Sequence, residues 1–172
     1  MRLCQTPDVA TAASSTPLLI RRANASDAGA ILDCLRCAFE PYRGRYSPEG
    51  FRDTVLTPST IHDRLSSMAV LVAITPDGAT VGTVAWHVVA PGEGHLRGMA
   101  VLPAHAGTAV AEQLLTAAEG ALRECGCVRV SLDTTEPLQR AIRFYERHVF
   151  RPSGRVRDFF GMPLVEYVKE LA

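Results

Sequence analysis

Residues 95–120 constrain the fold more than any other stretch. His95-Leu-Arg-Gly-Met-Ala-Val-Leu reads as a strand that Pro103 closes, and a turn of small, uncharged residues follows through Ala109. Val110, Leu114, Leu115, Ala118, Ala121 and Leu122 then recur on one stripe of an amphipathic helix. Gly126 ends that helix, and Val128 to Asp133 reads as the next strand. Strand, helix and strand in this order imply a parallel crossover. From Ala106 to Ala111 no proline removes an amide and no bulky side chain covers one, so several N–H groups can point at one anion. The first acid is Glu112, which leaves the positive end of the helix dipole available for a phosphate. A plain strand-to-helix connection is the competing reading.

The rest of the chain supplies a mixed sheet. Leu18–Arg22 is a short strand, and Asn24-Ala-Ser-Asp offers capping side chains to a helix over 27–39 that buries Ile31, Leu32, Leu35, Ala38 and Phe39. Glu40–Thr57 interleaves aromatics with Pro41, Gly44 and Pro48, the pattern of an irregular, partly helical loop of the kind that selects substrates. Thr57-Pro-Ser-Thr caps a further helix to about Ser67. Met68–Ile74 and Thr80–Val89 form a hairpin across Thr75-Pro-Asp-Gly, and Pro91-Gly-Glu-Gly turns the chain into the strand at His95. A helix over 137–148 and strands at 150–157 and 165–169 complete the order. One domain over 18–172 is expected, preceded at 1–17 by a Ser-, Thr-, Ala- and Pro-containing tail with neither signal-peptide nor membrane-anchor character.

Eighteen basic and eighteen acidic side chains leave a formal charge of zero, so no global field draws the chain to nucleic acid or to an anionic membrane. A soluble, cytoplasmic protein is expected. Arg140, Arg143, Arg147, Arg151, Arg155 and Arg157 nevertheless crowd one segment, as a solvated face or as a grip on a terminal phosphate. Five cysteines include Cys34-Leu-Arg-Cys37, inside a helical pattern without knuckle-like glycines, and Cys125-Gly-Cys127 at a helix-to-strand junction; they read as buried, reduced thiols rather than a zinc site.

Three stretches stand in order along the chain: Ile20-Arg-Arg-Ala-Asn-Ala-Ser-Asp-Ala, Met99-Ala-Val-Leu-Pro and Ala141-Ile-Arg-Phe-Tyr-Glu-Arg-His-Val-Phe. In this order and spacing they resemble the opening strand and helix, the approach to the pyrophosphate loop and the late Ala-x-x-x-Tyr-Glu-x-x-Gly-Phe motif of the GNAT superfamily of N-acetyltransferases, which transfer an acyl group from acyl-coenzyme A to an amine. The resemblance implies an α/β fold with a mixed sheet of about seven strands, largely antiparallel with one parallel pair, flanked by about four helices. It also implies acetyl-coenzyme A as the donor, a metal-free reaction with a primary amine in a ternary complex, and a homodimer. The cofactor set it implies is Met99, Ala100, Val101, Ala106, Gly107, Thr108, Ala109, Val110, Ala111 and Arg140. Ala106 and Ala109 replace the loop's usual Arg or Gln and Gly, while Leu138 and Val149 replace the late motif's Asn and Gly, so the turn at Val149 is expected to be reshaped.

Within that resemblance the chemistry falls to two residues. His95 begins the cofactor strand where family members often carry the general base, with Arg97 on the same face to favour its neutral form; a solvated strand-end histidine is the alternative. Tyr145 matches the tyrosine that faces the sulfur and can protonate the leaving thiolate, or it simply packs beside Ala141 and Phe144. Gly98 marks a strand bulge that frees amides near Met99 and Val101. Glu93 reads as a solvated turn acid and His87 as a hydrogen-bonded core residue. The loop from Glu40 to Phe51 is expected to form the acceptor side, for a small-molecule or peptide amine. The departures favour one rival, an acyl-coenzyme A-binding sensor of the same fold. A dinucleotide-binding oxidoreductase is disfavoured because no Gly-x-Gly-x-x-Gly follows the first strand.

Overall fold

The computed structural model describes residues 17–172. The tail expected at 1–17 lies outside these residues except for Pro17. The elements are β1 (Leu19–Arg22), α1 (Ala28–Phe39), α2 (Pro48–Val55), α3 (Thr60–Ser67), β2 (Ala69–Ile74), β3 (Thr80–Ala90) and β4 (Glu93–Val101), then α4 (Val110–Glu124), β5 (Arg129–Thr135), α5 (Gln139–Arg147), β6 (Arg151–Phe159) and β7 (Met162–Glu170). Short 3₁₀ turns lie at Ala25–Asp27, Glu40–Arg45 and Pro103–His105.

The seven strands form one sheet in the order β1-β2-β3-β4-β5-β7-β6. Every neighbouring pair is antiparallel except β4 and β5, as the crossover through α4 requires. The hairpin at Thr75 closes through Thr75 N–H on the Ala79 carbonyl, with Gly78 at a φ of 89°. Glu93 corrects the turn reading, because it opens β4 opposite Ala90 and Arg129.

Two cores sandwich the sheet. On one face Ile31, Cys34 and Leu35 of α1 and Ile61 of α3 pack on Val70, Val72, Ala85 and Ala100. On the other, Val110, Leu114, Leu115 and Leu122 of α4 and Tyr145 of α5 pack on Val81, Val84, Leu96, Val130 and Leu132. Full burial of each leucine contributes about 2 kcal/mol. α4 approaches the sheet closely at two glycines: a β-carbon would stand 2.7 Å from Val110 at Gly82 and 2.5 Å from Leu122 at Gly94. This approach fixes where the α4 N-terminus points. Gly126 ends the helix at a φ of 80°, with Cys127 N–H on the Leu122 carbonyl.

The sequence placed α1 correctly, and the capping side chains act on the 3₁₀ turn Ala25–Asp27 that leads into it. Asn24 accepts from Ser26 N–H, and Asp27 returns the bond to Asn24 N–H while forming a two-point pair with Arg21, which holds the Asp27 carboxyl below its usual range. The expected irregular, partly helical loop carries the 3₁₀ turn Glu40–Arg45 and a helix, α2. Ser47 caps it by accepting from Gly50 N–H, and Pro48 occupies its first turn. The thiol reading holds for Cys34 and Cys127 but not for Cys37 and Cys125, which are exposed. Burial pushes the Cys34 thiol up to about 12.

Candidate active site

β4 and β5 pair only from Glu93–Arg129 to Leu96–Leu132 and then diverge. Beyond that point the edge of β4 facing β5 has no strand partner, so its N–H and C=O groups open into a cleft of about 1410 Å³. The bulge expected at Gly98 is present. Between Thr83–Ala100 and Ala85–Arg97 the β4 side carries one extra residue, and Gly98 adopts a φ of 62°.

The turn before α4 forms one wall. Ala106 N–H donates to Pro103 O and Thr108 N–H to His105 O, which withdraws two of the amides expected to face an anion. The amides of Gly107, Ala109, Val110 and Ala111 have no acceptor among the described residues, and Ala109 fits its helical φ of −70° without strain. The Val110 side chain is buried beneath the sheet and Ala109 lies off the cleft wall, so these two can contribute only backbone. Gly107, at a φ of 82°, lies against Arg140 of α5. Met99, Ala100, Val101, Ala106, Gly107, Thr108, Ala111 and Arg140 line the same cleft, as do His95 and Tyr145.

His95 is held from two sides. Its Nδ1 lies 2.9 Å from Ser131 Oγ, and its Nε2 lies 3.6 Å from Asp133 Oδ2. Ser131 Oγ also lies 3.3 Å from the Gly94 carbonyl; in the tautomer in which the serine proton goes there, Nδ1–H donates to Oγ and the basic lone pair resides on Nε2. Burial depresses the His95 pKa, Asp133 raises it, and His87, Arg157 and Arg97 lower it further. Asp133 also pairs with Arg157, while its Oδ1 is buried without a partner among the described residues. His87 is not a core residue: it is half-buried on the cleft wall, edge-on to His95 at 5.9 Å between ring centres. Ser131 and Asp133 escaped the sequence reading.

Tyr145 is 8% exposed, edge-on to Phe144 and Phe150, and it meets the cleft. Burial pushes its phenol well above the usual range, so it stays protonated at neutral pH. Val149 adopts the left-handed conformation, with a φ of 72°, a region that glycine enters without strain. Leu138, which precedes α5, gives the helix no side-chain cap.

The far wall comes from residues 40–57. Tyr42 and Tyr46 line the cleft, and the Tyr46 hydroxyl meets Thr135 Oγ1 at 2.6 Å. Phe51 is buried instead. Of the arginine-rich segment, Arg140 lies at the α4 turn, while Arg155 and Arg157 pair with Glu166 and Asp133.

The splayed parallel pair, the bulge and the bare helix turn define an acyltransferase-like α/β fold. Residues 31–150 match the acetyltransferase (GNAT) family, and the chain belongs to that family. No curated protein matches it in sequence. Among solved structures it is similar to an acetyltransferase of the GNAT family from Staphylococcus aureus Mu50, with 17% identity, TM-score 0.73, and coverage of 91% of this chain and 100% of that one. It is also similar to the PaiA N-acetyltransferase of Thermoplasma acidophilum in complex with coenzyme A, with 18% identity, TM-score 0.73, and coverage of 90% and 99%. A third is yncA of Salmonella typhimurium with its cofactor acetyl-CoA, with 18% identity, TM-score 0.66, and coverage of 91% and 95%. Among the described residues no helix is long and apolar enough to cross a membrane.

Proposed function

We propose that this chain transfers an acetyl group from acetyl-coenzyme A to a primary amine by direct attack within a ternary complex. The observation that carries the reading is the divergence of β4 from β5 beside the unpartnered amides of the α4 turn. Similarity to the coenzyme A-containing and acetyl-CoA-containing structures supports the choice of donor. Gly107, Ala109, Val110 and Ala111 offer amides to a pyrophosphate, and Arg140 adds a guanidinium. The free edge of β4 at Met99–Val101 offers N–H groups to an acyl carbonyl and a pantetheine arm. The bound donor supplies an activated thioester.

His95 Nε2 takes the proton that the amine loses as its nitrogen bonds to the acyl carbon, and Asp133 stabilises the resulting imidazolium. As the carbon–sulfur bond breaks, the Tyr145 hydroxyl gives its proton to the sulfur. The aromatic wall at Tyr42 and Tyr46 receives the acceptor. Release of free thiol from acetyl-coenzyme A across a panel of amines tests the reading. Thiol release that depends on an amine supports it, whereas coenzyme A binding without turnover of any amine would leave the sensor of the same fold.

A further inference from the structure

Arg64 projects from α3 into the wall of the cleft beneath the β4 bulge, and it is 8% exposed. A β-carbon at Gly98 would stand 2.7 Å from its Nη1, so the guanidinium fills the space that a side chain there would take. Among the described residues no oxygen accepts a hydrogen bond from this guanidinium and no carboxylate forms an ion pair with it. The nearby Asp53 is held by Arg97 at 2.7 Å, and Asp63 on the same wall is exposed. Burial first and Arg97 next lower the Arg64 pKa while Asp53 raises it, to a net value of about 10; a buried cation in this position lacks its counterion. His87 adds a third basic side chain to the same wall.

We infer that the acceptor is an α-amino acid whose carboxylate is bound by Arg64 while its amine lies at the β4 bulge within reach of His95. The inference rests on the acetyltransferase reading and names the substrate class within it. Guanidinium and carboxylate match in a two-point pair. Gly98, which touches the guanidinium, directly precedes Met99 on the proposed acyl-binding edge, and consecutive Cα atoms are about 3.8 Å apart. The anion and the reacting nitrogen therefore belong a few bonds apart. A lysine side chain of a protein does not meet that spacing, and a simple alkylamine leaves Arg64 unpaired.

The test compares the standard L-amino acids with their α-amides and with the matching decarboxylated amines, rates being referred to the neutral-amine fraction. Thiol release should give the acids at least a tenfold higher kcat/KM. In Arg64→Gln the acid-to-amide ratio should fall to near one through KM, and in Arg64→Lys it should be partly restored. Calorimetric titration of the same amino acids and amides into the protein without any coenzyme gives a second readout, in which Arg64→Gln should lose at least tenfold affinity for the acids only. Equal use of acids and amides by the unsubstituted protein, with coenzyme A binding intact, overturns the inference and leaves the acetyltransferase reading standing. If neither thiol release nor coenzyme A binding occurs, that reading fails instead. The titration then decides the carboxylate site alone: Arg64-dependent binding supports it and absence of binding overturns it. The wild-type comparison needs no variant, so misfolding of Arg64→Gln does not remove the test.

Discussion

Arg140, near the start of α5, lies against Gly107 in the turn before α4, with Nη2 2.9 Å from where a Gly107 β-carbon would stand. Two segments separated by a whole strand and helix thus meet beside the unpartnered amides. Arg140→Ala should weaken coenzyme A binding tenfold to a hundredfold, the loss of a charge-assisted bond worth about 1.5–3 kcal/mol. Gly107→Ala should also weaken it, because alanine at a φ of 82° costs about 1–2 kcal/mol and its methyl displaces the guanidinium. Calorimetry with coenzyme A measures both, and unchanged affinity in either folded variant would remove Arg140 from the phosphate site.

Val149 carries a β-branched side chain at a φ of 72° while 62% exposed. Its strain is not repaid by burial. Val149→Gly should therefore stabilise the protein by about 1 kcal/mol, the relief of left-handed strain less glycine's extra chain entropy. The melting temperature should rise by roughly 2–4 °C. A lower melting temperature would show that the valine side chain contributes packing that its exposure conceals.

The contrast between α4 and α2 shows what a sequence makes legible. α4 declares itself by a long apolar stripe ended by Gly126, and the strands around it alternate or run apolar, so the parallel pair follows from order alone. α2 is only eight residues long, and its Ser47 cap and Pro48 start were readable, but the surrounding aromatics and breakers masked them. That His95 and Tyr145 meet the cleft was legible through the family resemblance. Ser131 and Asp133 were not, because they reach His95 only through the β4–β5 register, 36 and 38 residues along the chain. Arg64 sat in a correctly expected helix, yet its position under Gly98 depends on a bulge geometry that no local pattern encodes.

Tyr46 joins the proposed acceptor wall to β5 through its 2.6 Å contact with Thr135 Oγ1. Tyr46→Phe removes that bond and keeps the ring, at a cost of about 1 kcal/mol in stability. Tyr46→Ala also opens the wall, and it should raise the amine KM several-fold while coenzyme A affinity stays within twofold. Equal losses in both would point to a general loosening of the fold.

The depressed His95 pKa has two consequences of the same sign. In the unfolded chain the imidazole protonates near its ordinary value of about 6.5, whereas the folded protein keeps it neutral to lower pH. Between the folded value and 6.5 the unfolded state binds more protons, so stability falls as pH drops through this window and is recovered above it. His87, also lowered by burial, acts in the same direction. The melting temperature should rise from pH 5 to pH 7, and His95→Gln should flatten that rise. The amine-dependent rate should climb through a pKa below 6.5 in the unsubstituted protein and lose that limb in His95→Gln. A rate limb that survives the substitution would assign the base to another group.

Tyr145 tests the other proton. Its hydroxyl has no hydrogen-bond partner among the described residues, so Tyr145→Phe removes one oxygen and leaves the ring packing on Phe144 and Phe150 in place. Stability should change little. Because burial keeps the phenol protonated, it can act as an acid across the neutral range but not as the amine's base. Turnover should fall roughly tenfold or more, with coenzyme A affinity nearly unchanged. A thiol with a free pKa of about 8.5 is a tolerable leaving group unaided, so the effect should grow with a thioester analogue whose leaving group is more basic. An equal, small effect for both leaving groups would reduce Tyr145 to a packing residue and leave the departing sulfur to be protonated from solvent.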